Sequence, residues 1–398
     1  VSANSNKTFD KGYSLIYSND TLPGMSGGVV LNSAGELVAI HGRGDREKSS
    51  DGSFSGVKTG FNLGIAINRF GTISSSLGVN LQGQVAAIPQ STAIKADDYF
   101  VSAVEKDYKG DTEGALADYN RAIQINPNYA KAYFNRGQLK DVKGDYQEAL
   151  ADYNRAIQID PNNADFYYSR GNVKYISFND PKGALADYNR AIQIDPNNDM
   201  AYLNRGNVRS ALNDPKGALA DYNSLIQIAP NFASAYINRG HLKYSEGDYR
   251  GALADYNRVI QIAPNDDMGY FGRGNVRSAL NDPTGALADY NRAVQIFPDF
   301  AEAYINRGYL KSEKLNDTKG ALADFNRAIQ IAPNYAKAYF NRGNFKYRYL
   351  NDRSGGITDM RQAAKLSKQK GNQYIYSLAI EQLRKWGASE LPDPNFTK

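Results

Sequence analysis

The chain has 398 residues and a formal net charge of +5, from 47 basic and 42 acidic residues whose signs are interspersed along its length. Mixed charge of this kind is typical of a solvated surface rather than of a nucleic-acid-binding stripe, so no nucleic-acid partner is predicted. The absence of cysteine excludes disulfides and thiolate metal sites, and two histidines, His41 and His241, are too few to predict a metal or cofactor site. No apolar run approaches the roughly 18 residues that a membrane span needs.

Residues 1–73 have the composition of a small all-β segment. Glycine, serine, valine and isoleucine predominate there, and alternating apolar positions predict short strands and turns. Three phrases follow one another in order: LPGMSGGVV from Leu22 to Val30, then LNSAGELVAIHGRGD, then FNLGIAINRF. A serine in a glycine-rich turn is weak evidence by itself, and the order of the three phrases makes it much stronger.

The three phrases resemble the C-terminal part of the second barrel of a trypsin-like serine peptidase, over about residues 13–70. The resemblance implies that Ser26, in the GxSGG pattern, is the nucleophile and that the backbone amides of Gly24 and Ser26 form the oxyanion hole. Two alternative residues could define the substrate pocket. Asp20 has the spacing of the acidic pocket base of trypsin, whereas His41 matches the pocket histidine of glutamyl endopeptidases, and the two imply opposite substrate preferences.

The base histidine and the orienting aspartate of that family have no counterpart in the sequence. In the family they precede the serine by far more than the 25 residues found here, and His41 follows Ser26 on a predicted pocket strand, where it is not expected to act as the base. The chain as given is therefore predicted to have no peptidase activity, whereas a longer protein with both residues upstream would be a serine endopeptidase. The resemblance favours a periplasmic or secreted location, and the residues themselves leave the compartment open.

A serine-, glycine- and glutamine-rich stretch, residues 74–95, is predicted to be a linker, and a strongly repeated segment follows it. The phrase ALADYNRAI at Ala115–Ile123 recurs almost intact six more times, and an eighth, weaker unit runs from Ala336 to Leu366. A fixed period of this length predicts a repeat architecture. Prolines close successive units at intervals of 34 or 35 residues: Pro127, Pro161, Pro196, Pro230, Pro264, Pro298 and Pro333.

Each unit is predicted to be a pair of helices. In the second unit the first helix runs through AKAYFNRGQLKDV and stops at Gly144, because glycine favours the end of a helix. The second helix runs through YQEALADYNRAIQI and ends at Asp160, because the proline that follows disfavours a helical residue before it. Gly137 lies where the two helices must approach closely, and Tyr133 and Tyr153 are predicted to fill the space beside it.

This pattern resembles the tetratricopeptide repeat, and AYFNRGQLKDVKGDYQEALADYNRAIQIDP is the segment that matches it. The resemblance implies a mainly α fold: an α-α superhelix of eight repeats over residues 96–369, with a capping helix and tail in residues 370–398. Tyr376, Ile380 and Leu383 are predicted to form the apolar side of that last helix. With its N-terminal segment included, the chain resembles a bacterial trypsin-like peptidase with tetratricopeptide repeats.

Arginine and aspartate recur at fixed places in the units. The first unit has Asp118 but Ala103 in place of an arginine, and this asymmetry predicts that each aspartate pairs with the arginine of the next unit, which would fix the register between repeats. The alternative is that the arginines extend along the apolar surface to water. The arginines precede the glycine of each first helix, and the aspartates lie in the ALADY phrases: Arg136, Arg170, Arg205, Arg239, Arg273, Arg307 and Arg342, and Asp118, Asp152, Asp187, Asp221, Asp255, Asp289, Asp324 and Asp359.

Amide side chains recur on the first helices, which are predicted to line the concave face of the superhelix. The first amide set stands directly before the arginines: Asn135, Asn204, Asn238, Asn306 and Asn341. The second amide set lies three residues further on, on the same helical face: Asn172, Asn207, Asn275 and Asn344. The resemblance implies that asparagines of the first set line a peptide groove. An amide offers a donor and an acceptor to a peptide backbone, and the alternative is that asparagine is merely tolerated on an exposed helix.

The predicted function is a protein-binding scaffold that holds an extended polypeptide on its concave face and is attached to an incomplete trypsin-like peptidase segment. The alternative is a serine endopeptidase in a longer protein, with Ser26 as nucleophile and the repeats recruiting substrates or partners. The residues leave the identity of the partner and the oligomeric state open.

Overall fold

The computed structural model describes the backbone of five strands within residues 3–66 and the whole of residues 95–388. The chain divides into two compact units, Val1–Thr92 and Ala93–Lys398. In the first unit each strand pairs antiparallel with the next in a sheet of order β1-β2-β3-β4-β5. The strands are β1 (Ala3–Phe9), β2 (Tyr13–Ser18), β3 (Ser26–Leu31), β4 (Leu37–Arg43) and β5 (Leu63–Ala66).

Between residues 95 and 388 the chain forms seventeen helices and no strand, so the mainly α solenoid predicted from the repeat period is confirmed. The helices are α1 (Ala96–Tyr108), α2 (Thr112–Ile125), α3 (Ala130–Lys143), α4 (Tyr146–Ile159), α5 (Ala164–Ile176), α6 (Pro181–Ile194), α7 (Asp199–Ala211), α8 (Pro215–Ile228), α9 (Ala233–Ser245), α10 (Tyr249–Ile262), α11 (Asp267–Ala279), α12 (Pro283–Ile296), α13 (Ala301–Lys314), α14 (Thr318–Ile331), α15 (Ala336–Tyr349), α16 (Arg353–Gln369) and α17 (Gln373–Lys385).

Helices α1 to α16 form eight consecutive hairpins, repeats 1 to 8, and α17 packs on the last of them. Each hairpin packs against the next along the array. From repeat 2 onward, the first helices of neighbouring hairpins also contact one another, whereas the second helices make no comparable contact within residues 95–388. Because the first helices are the more closely spaced, the array curves toward them, and they line its concave face.

The turn inside each hairpin contains one residue with a left-handed backbone. Glycine or asparagine supplies it, because these residues tolerate that conformation with little strain. An aspartate follows at the N-cap of the second helix, and in every repeat but the second its side chain caps that helix: in repeat 4, Gly217 donates its backbone N–H to Oδ1 of Asp214 at 2.9 Å. The stop predicted at Gly144 is confirmed by its φ of 87°. The left-handed residues are Gly110, Gly144, Asn179, Asn213, Gly247, Asn281, Asn316 and Asn351.

The core of each hairpin lies where a glycine of the first helix meets an aromatic ring of the second. A Cβ atom added at Gly137 would lie 2.9 Å from Cε1 of Tyr153, which is 1% exposed, so Tyr153 fills this space as predicted. The prediction for Tyr133 is wrong. Its ring is half-buried and lies beside Arg136 instead, with the guanidinium carbon 5.3 Å from the ring centroid.

The last helix covers the end of the array. Leu383 and Ile380 of α17 are buried against Met360 and neighbouring alanines of α16, and Tyr376 packs against the same cluster. The apolar side predicted for this helix is therefore confirmed. A solenoid end needs such a cover because the last repeat has no successor to bury its apolar face.

Candidate polypeptide-binding face

The regular spacing of arginine and aspartate produces buried ion pairs inside repeats 2 to 8. Arg136 donates from Nε to Asp152 at 2.8 Å and from Nη2 to the other carboxylate oxygen at 2.5 Å, which is a two-pronged pair within repeat 2. The predicted pairing of each aspartate with the arginine of the next repeat is therefore wrong. The same pair recurs within repeats 3 to 8: Arg170–Asp187, Arg205–Asp221, Arg239–Asp255, Arg273–Asp289, Arg307–Asp324 and Arg342–Asp359.

The first repeat explains the error. Ser102, not Ala103, stands at the arginine position, and its hydroxyl donates to Asp118 at 2.7 Å. Ala103 is fully buried at the position that glycine holds elsewhere. Lys106 donates to the same carboxylate at 2.6 Å, so Asp118 has partners in its own repeat. Burial acts to raise the pKa of Asp118, but the bonds from Lys106 and Ser102 outweigh it and leave that pKa below its usual value.

The arginines nevertheless connect the repeats, through a residue that the sequence analysis overlooked. Nη1 of Arg136 donates to Oδ1 of Asn120, in the second helix of the preceding repeat, at 2.6 Å. The arginine side chains are only 13–17% exposed, so the alternative that they extend to water is also wrong. The same bond crosses every later boundary: Arg170 to Asn154, Arg205 to Asn189, Arg239 to Asn223, Arg273 to Asn257, Arg307 to Asn291 and Arg342 to Asn326.

A second cation completes each buried cluster. Four residues after the arginine, and hence on the same helical face, a lysine or arginine also reaches the aspartate, as Lys140 reaches Asp152 at 3.0 Å. In repeats 2 to 8 each carboxylate is thereby neutralised by two cations of the first helix, whereas in repeat 1 a serine replaces one of them and Arg121 of the second helix lies 3.9 Å from Asp118. These charges stabilise the stack and are not available to a ligand. The other second cations are Lys174, Arg209, Lys243, Arg277, Lys311 and Lys346.

The two amide sets meet across repeat boundaries. Nδ2 of Asn204, in repeat 4, donates to Oδ1 of Asn172, in repeat 3, at 2.9 Å, and the hydroxyl of Tyr188 donates to the same oxygen at 2.7 Å. Two further boundaries repeat this arrangement, with Asn238 joined to Asn207 and Asn306 joined to Asn275, both at 2.8 Å. Tyr222 and Tyr290 supply the hydroxyls there. Three amide couples therefore lie half-buried along the first helices.

Each couple retains hydrogen-bonding capacity. An amide has two donor hydrogens and an oxygen with two lone pairs. The contacts of a couple use Nδ2 of its first-set member and Oδ1 of its second-set member. The oxygens of Asn204, Asn238 and Asn306 and the NH2 groups of their partners take no part in those contacts. Every couple thus presents one acceptor and one donor.

The remaining asparagines do not form couples. Asn135 donates to the hydroxyl of Tyr119 at 3.2 Å, and Asn341 donates to the carbonyl of Lys337 in its own helix at 2.7 Å. The side-chain oxygen of Asn344 is buried without a hydrogen-bond partner, because Met360 stands where repeats 1 to 6 have a tyrosine. We call the three couples along the first helices the amide row. The row is interrupted, and the structure does not bring Asn135, Asn341 or Asn344 into it.

The predicted peptidase residues lie outside the part of the chain whose side chains are described. Ser26 begins β3 and His41 lies in β4, while Asp20 and Gly24 fall between the described strands. Their roles as nucleophile, oxyanion hole and pocket stay predictions from the sequence.

Within residues 95–388, no group of three or more histidine, aspartate or glutamate side chains is placed to hold a metal ion. Over the same residues no helix combines the length and the apolar composition required to cross a membrane.

Comparison with known proteins identifies the class that these helical hairpins define. Family models match three segments described as TPR repeat, residues 108–140, 143–177 and 179–213, and two described as tetratricopeptide repeat, residues 233–266 and 271–336. These segments together span just over half of the chain. The chain belongs to the tetratricopeptide repeat family. It is a scaffold of the protein-interaction type.

Similar individual proteins support the fold. A tetratricopeptide repeat protein from Parabacteroides merdae aligns with a TM-score of 0.50 and 22% identity, over 63% of this chain and 98% of that one. The Cut9-Hcn1 hetero-tetramer of the APC/C aligns with a TM-score of 0.51 and 16% identity, over 72% of this chain and 54% of that one. An uncharacterized protein of Methanocaldococcus jannaschii is 48% identical over 42 residues, which are 11% of this chain and about half, 49%, of that relative.

Proposed function

We propose that the repeats hold an extended polypeptide along the first helices and that the three amide couples grip its backbone. The observation that carries the proposal is the free acceptor and free donor of each couple. A polypeptide backbone can use both groups, since each of its residues other than proline offers one N–H donor and one C=O acceptor. Recognition of this kind makes little demand on the sequence of the ligand.

Charge favours polypeptide over nucleic acid as the partner. Nucleic-acid binding needs unpaired cations in a row to neutralise phosphates. Between repeats 2 and 8, the cations that recur on the first helices are bound to the buried aspartates of the repeats. The amide row itself is uncharged. A polypeptide backbone is also uncharged, so it gains hydrogen bonds there without an electrostatic penalty.

A test uses a synthetic ligand that offers little more than a backbone. The span of five repeats is about 50 Å if neighbouring first helices lie about 10 Å apart, and an extended chain covers it in about 15 residues. A fluorescein-labelled peptide of that length, made of serine, threonine and alanine, is titrated with the full chain and followed by anisotropy. Changing Asn204, Asn238 and Asn306 together to alanine is expected to weaken binding at least about tenfold, since each hydrogen bond contributes roughly 0.5–1.5 kcal/mol.

The matched control changes three exposed amides on the second helices, Gln227, Gln261 and Gln295, to alanine, and is expected to leave binding unchanged. A version of the peptide with methylated backbone nitrogens, which cannot donate, is expected to bind as weakly as the triple asparagine variant. Circular dichroism melting of both variants separates binding from folding. Equal binding of the peptide by wild type and the triple asparagine variant would reject the amide row.

Peptidase activity in a longer protein is supported by the sequence resemblance alone. Its test is labelling by a fluorophosphonate probe, with Ser26→Ala as the control. The present chain is expected to remain unlabelled, and label that disappears in the Ser26→Ala variant would establish an active serine.

A further inference from the structure

Three large apolar side chains project into solvent at equivalent places in the first three repeats. Tyr108, Val142 and Ile176 stand near the ends of α1, α3 and α5, at intervals of 34 positions. They are 93%, 87% and 78% exposed, which makes them the most exposed large apolar residues between positions 95 and 388. We call these three residues the apolar row.

The apolar row is confined to repeats 1 to 3. The equivalent positions of the later repeats carry small or charged residues: Ala211, Ser245, Ala279, Glu313 and Arg348. These replacements show that neither helix formation nor stacking of the hairpins needs a large apolar side chain there. Exposed apolar groups that line up along a surface mark interaction sites more often than they serve the fold.

Negative charge lies beside the apolar row. Asp107 and Asp141 directly precede Tyr108 and Val142. Burial raises the pKa of both carboxyls, which shows that part of their water has been displaced. The exposed Lys109 follows Tyr108 as the C-cap of α1. Asp97, Lys131 and Asp165 stand at the opposite ends of the same helices, each at the second residue.

Most cations near the apolar row are already engaged. Lys106 pairs with Asp118 at 2.6 Å, Lys140 pairs with Asp152 at 3.0 Å, and Lys143 pairs with Glu113 at 2.5 Å. The side chains of Asp107 and Asp141 have no such partner among residues 95–388. The charge left to attract a ligand is therefore negative.

We infer that the apolar row and the aspartates beside it bind an extended polypeptide segment in which apolar side chains alternate with lysine or arginine. Apolar side chains of the ligand cover Tyr108, Val142 and Ile176, and its cations meet Asp107 and Asp141. This interaction rests on the proposed function only in placing a polypeptide along the first helices. It uses other residues and other chemistry than the amide couples, and it selects side chains where the couples select backbone.

The spacing of the repeats sets the spacing of the ligand. Packed helices lie about 8–10 Å apart, and a polypeptide in the extended polyproline II conformation advances about 3.1 Å per residue with three residues per turn, so that every third side chain lies on the same side. One repeat is therefore matched by about three residues of the ligand. A segment of about nine residues, with an apolar residue at every third place and a cation directly before it, fits the apolar row in register.

The experiment uses a labelled nonapeptide of three Lys-Leu-Ser units and two comparison peptides, with Glu-Leu-Ser and Lys-Ser-Ser units. Fluorescence anisotropy with the full chain measures each dissociation constant at low and at high salt. The Lys-Leu-Ser peptide is expected to bind at least tenfold more tightly than either comparison, and its affinity is expected to fall as salt screens the aspartates. Absence of Lys-Leu-Ser binding, as would follow if another part of the chain covered the row, overturns the inference, and so does equal binding of the acidic peptide.

Matched variants locate the interaction. Val142→Lys places a cation in the apolar row at a side chain that is 87% exposed, so folding is not at risk, and at least a tenfold loss of affinity is expected. Ser245→Lys introduces the same cation at the equivalent position of repeat 5 and is expected to change the affinity for the Lys-Leu-Ser peptide less than twofold. Asp141→Asn is expected to reduce the salt dependence. An unchanged affinity in Val142→Lys overturns the inference.

The two binding modes fail separately. The triple variant of Asn204, Asn238 and Asn306 is expected to keep its affinity for the Lys-Leu-Ser peptide. If that variant no longer binds the uncharged peptide while Val142→Lys still binds the Lys-Leu-Ser peptide, the amide proposal is supported and the binding role of the apolar row is rejected. The opposite pattern rejects the amide proposal and leaves the apolar row in place.

Discussion

The guanidinium of Arg205 holds three groups in place at once. It donates to both carboxylate oxygens of Asp221, to Oδ1 of Asn189 in the preceding repeat at 2.7 Å, and it lies 5.4 Å from the ring centroid of Tyr202. Asp221 itself is only 2% exposed. A buried carboxylate at this position depends on its cations, because removing one partner of a buried pair leaves an uncompensated charge.

Arg205→Leu is therefore expected to lower the free energy of unfolding by about 2–3 kcal/mol. The loss is smaller than the roughly 3–5 kcal/mol typical of a broken buried pair, since Arg209 still reaches Asp221 at 2.8 Å. Urea unfolding followed by circular dichroism measures it. Arg250→Leu replaces an exposed arginine on α10 and is expected to change stability by less than about 0.5 kcal/mol. Equal effects of the two substitutions would show that Arg205 has no special role.

Residue-level pairing was the part of the structure that the sequence predicted least well. A shift of one position placed Ala103 where Ser102 belongs, and the pairing rule built on that shift pointed to the wrong repeat. The asparagine after each ALADY phrase recurs as regularly as the aspartate, yet periodicity alone does not show which of two polar neighbours a guanidinium reaches. The amides were placed correctly on the first helices, but their mutual bonds depend on the distance between repeats, which the sequence does not contain.

At the scale of the helices, a single glycine sets how closely the two members of a hairpin approach. A Cβ atom at Gly206 of α7 would lie 2.7 Å from Cε1 of Tyr222 in α8, and Tyr222 is 2% exposed. The ring has no room to withdraw without disturbing its hydroxyl bond to Asn207. Alanine at this position therefore separates the helices, although alanine is the better helix former by about 1 kcal/mol.

Gly206→Ala is expected to destabilise the protein by about 1–3 kcal/mol, the usual cost of overpacking a filled core. Thermal unfolding compares it with Ser210→Ala, one turn further along α7, where the exposed side chain meets no such obstacle and a small gain in stability is expected. A stabilised Gly206→Ala variant would mean that helix propensity outweighs the close approach of the two helices.

Helices were the most predictable elements, for a physical reason visible in repeat 2. Gly144 and the proline after Asp160 act locally, so the ends of α3 and α4 follow from the chain itself. Other repeats have asparagine at this place in the turn, and it supplies the same left-handed backbone, as Asn213 does with a φ of 60°. Reasoning from glycine alone would miss these turns. The role of Tyr133 was mispredicted because two tyrosines in one repeat compete for one space, and only packing decides between them.

Across the whole array, six repeats share a tyrosine whose hydroxyl is held away from water. Burial is the chief cause that raises the pKa of Tyr119, Tyr222 and Tyr256 to about 12, and it raises that of the other three as well. The six tyrosines are Tyr119, Tyr153, Tyr188, Tyr222, Tyr256 and Tyr290. Repeats 7 and 8 have Phe325 and Met360 instead. The fold therefore opposes ionisation of each phenol, and the free-energy cost adds up over the six.

The sign of the pH dependence follows directly. In the unfolded chain a tyrosine loses its proton near pH ~10, whereas in the folded array it keeps the proton to higher pH. Above that value the unfolded chain binds fewer protons than the folded one, so stability falls as pH rises. The stabilisation is fully present below pH ~10 and is lost as the pH passes through about 12. Helix content is therefore expected to disappear in a steep transition above pH ~10.

Phenolate absorbance and circular dichroism recorded on the same samples test this. The phenolate absorbance of the six buried tyrosines is expected to rise together with the loss of helix. Tyr222→Phe removes a hydrogen bond to Asn207 and is expected to cost about 1 kcal/mol near neutral pH, yet it removes one ionisable group and so flattens the alkaline loss of stability. An alkaline loss of helix that Tyr222→Phe leaves unchanged in steepness would show that the buried hydroxyls do not control the alkaline limit of the array.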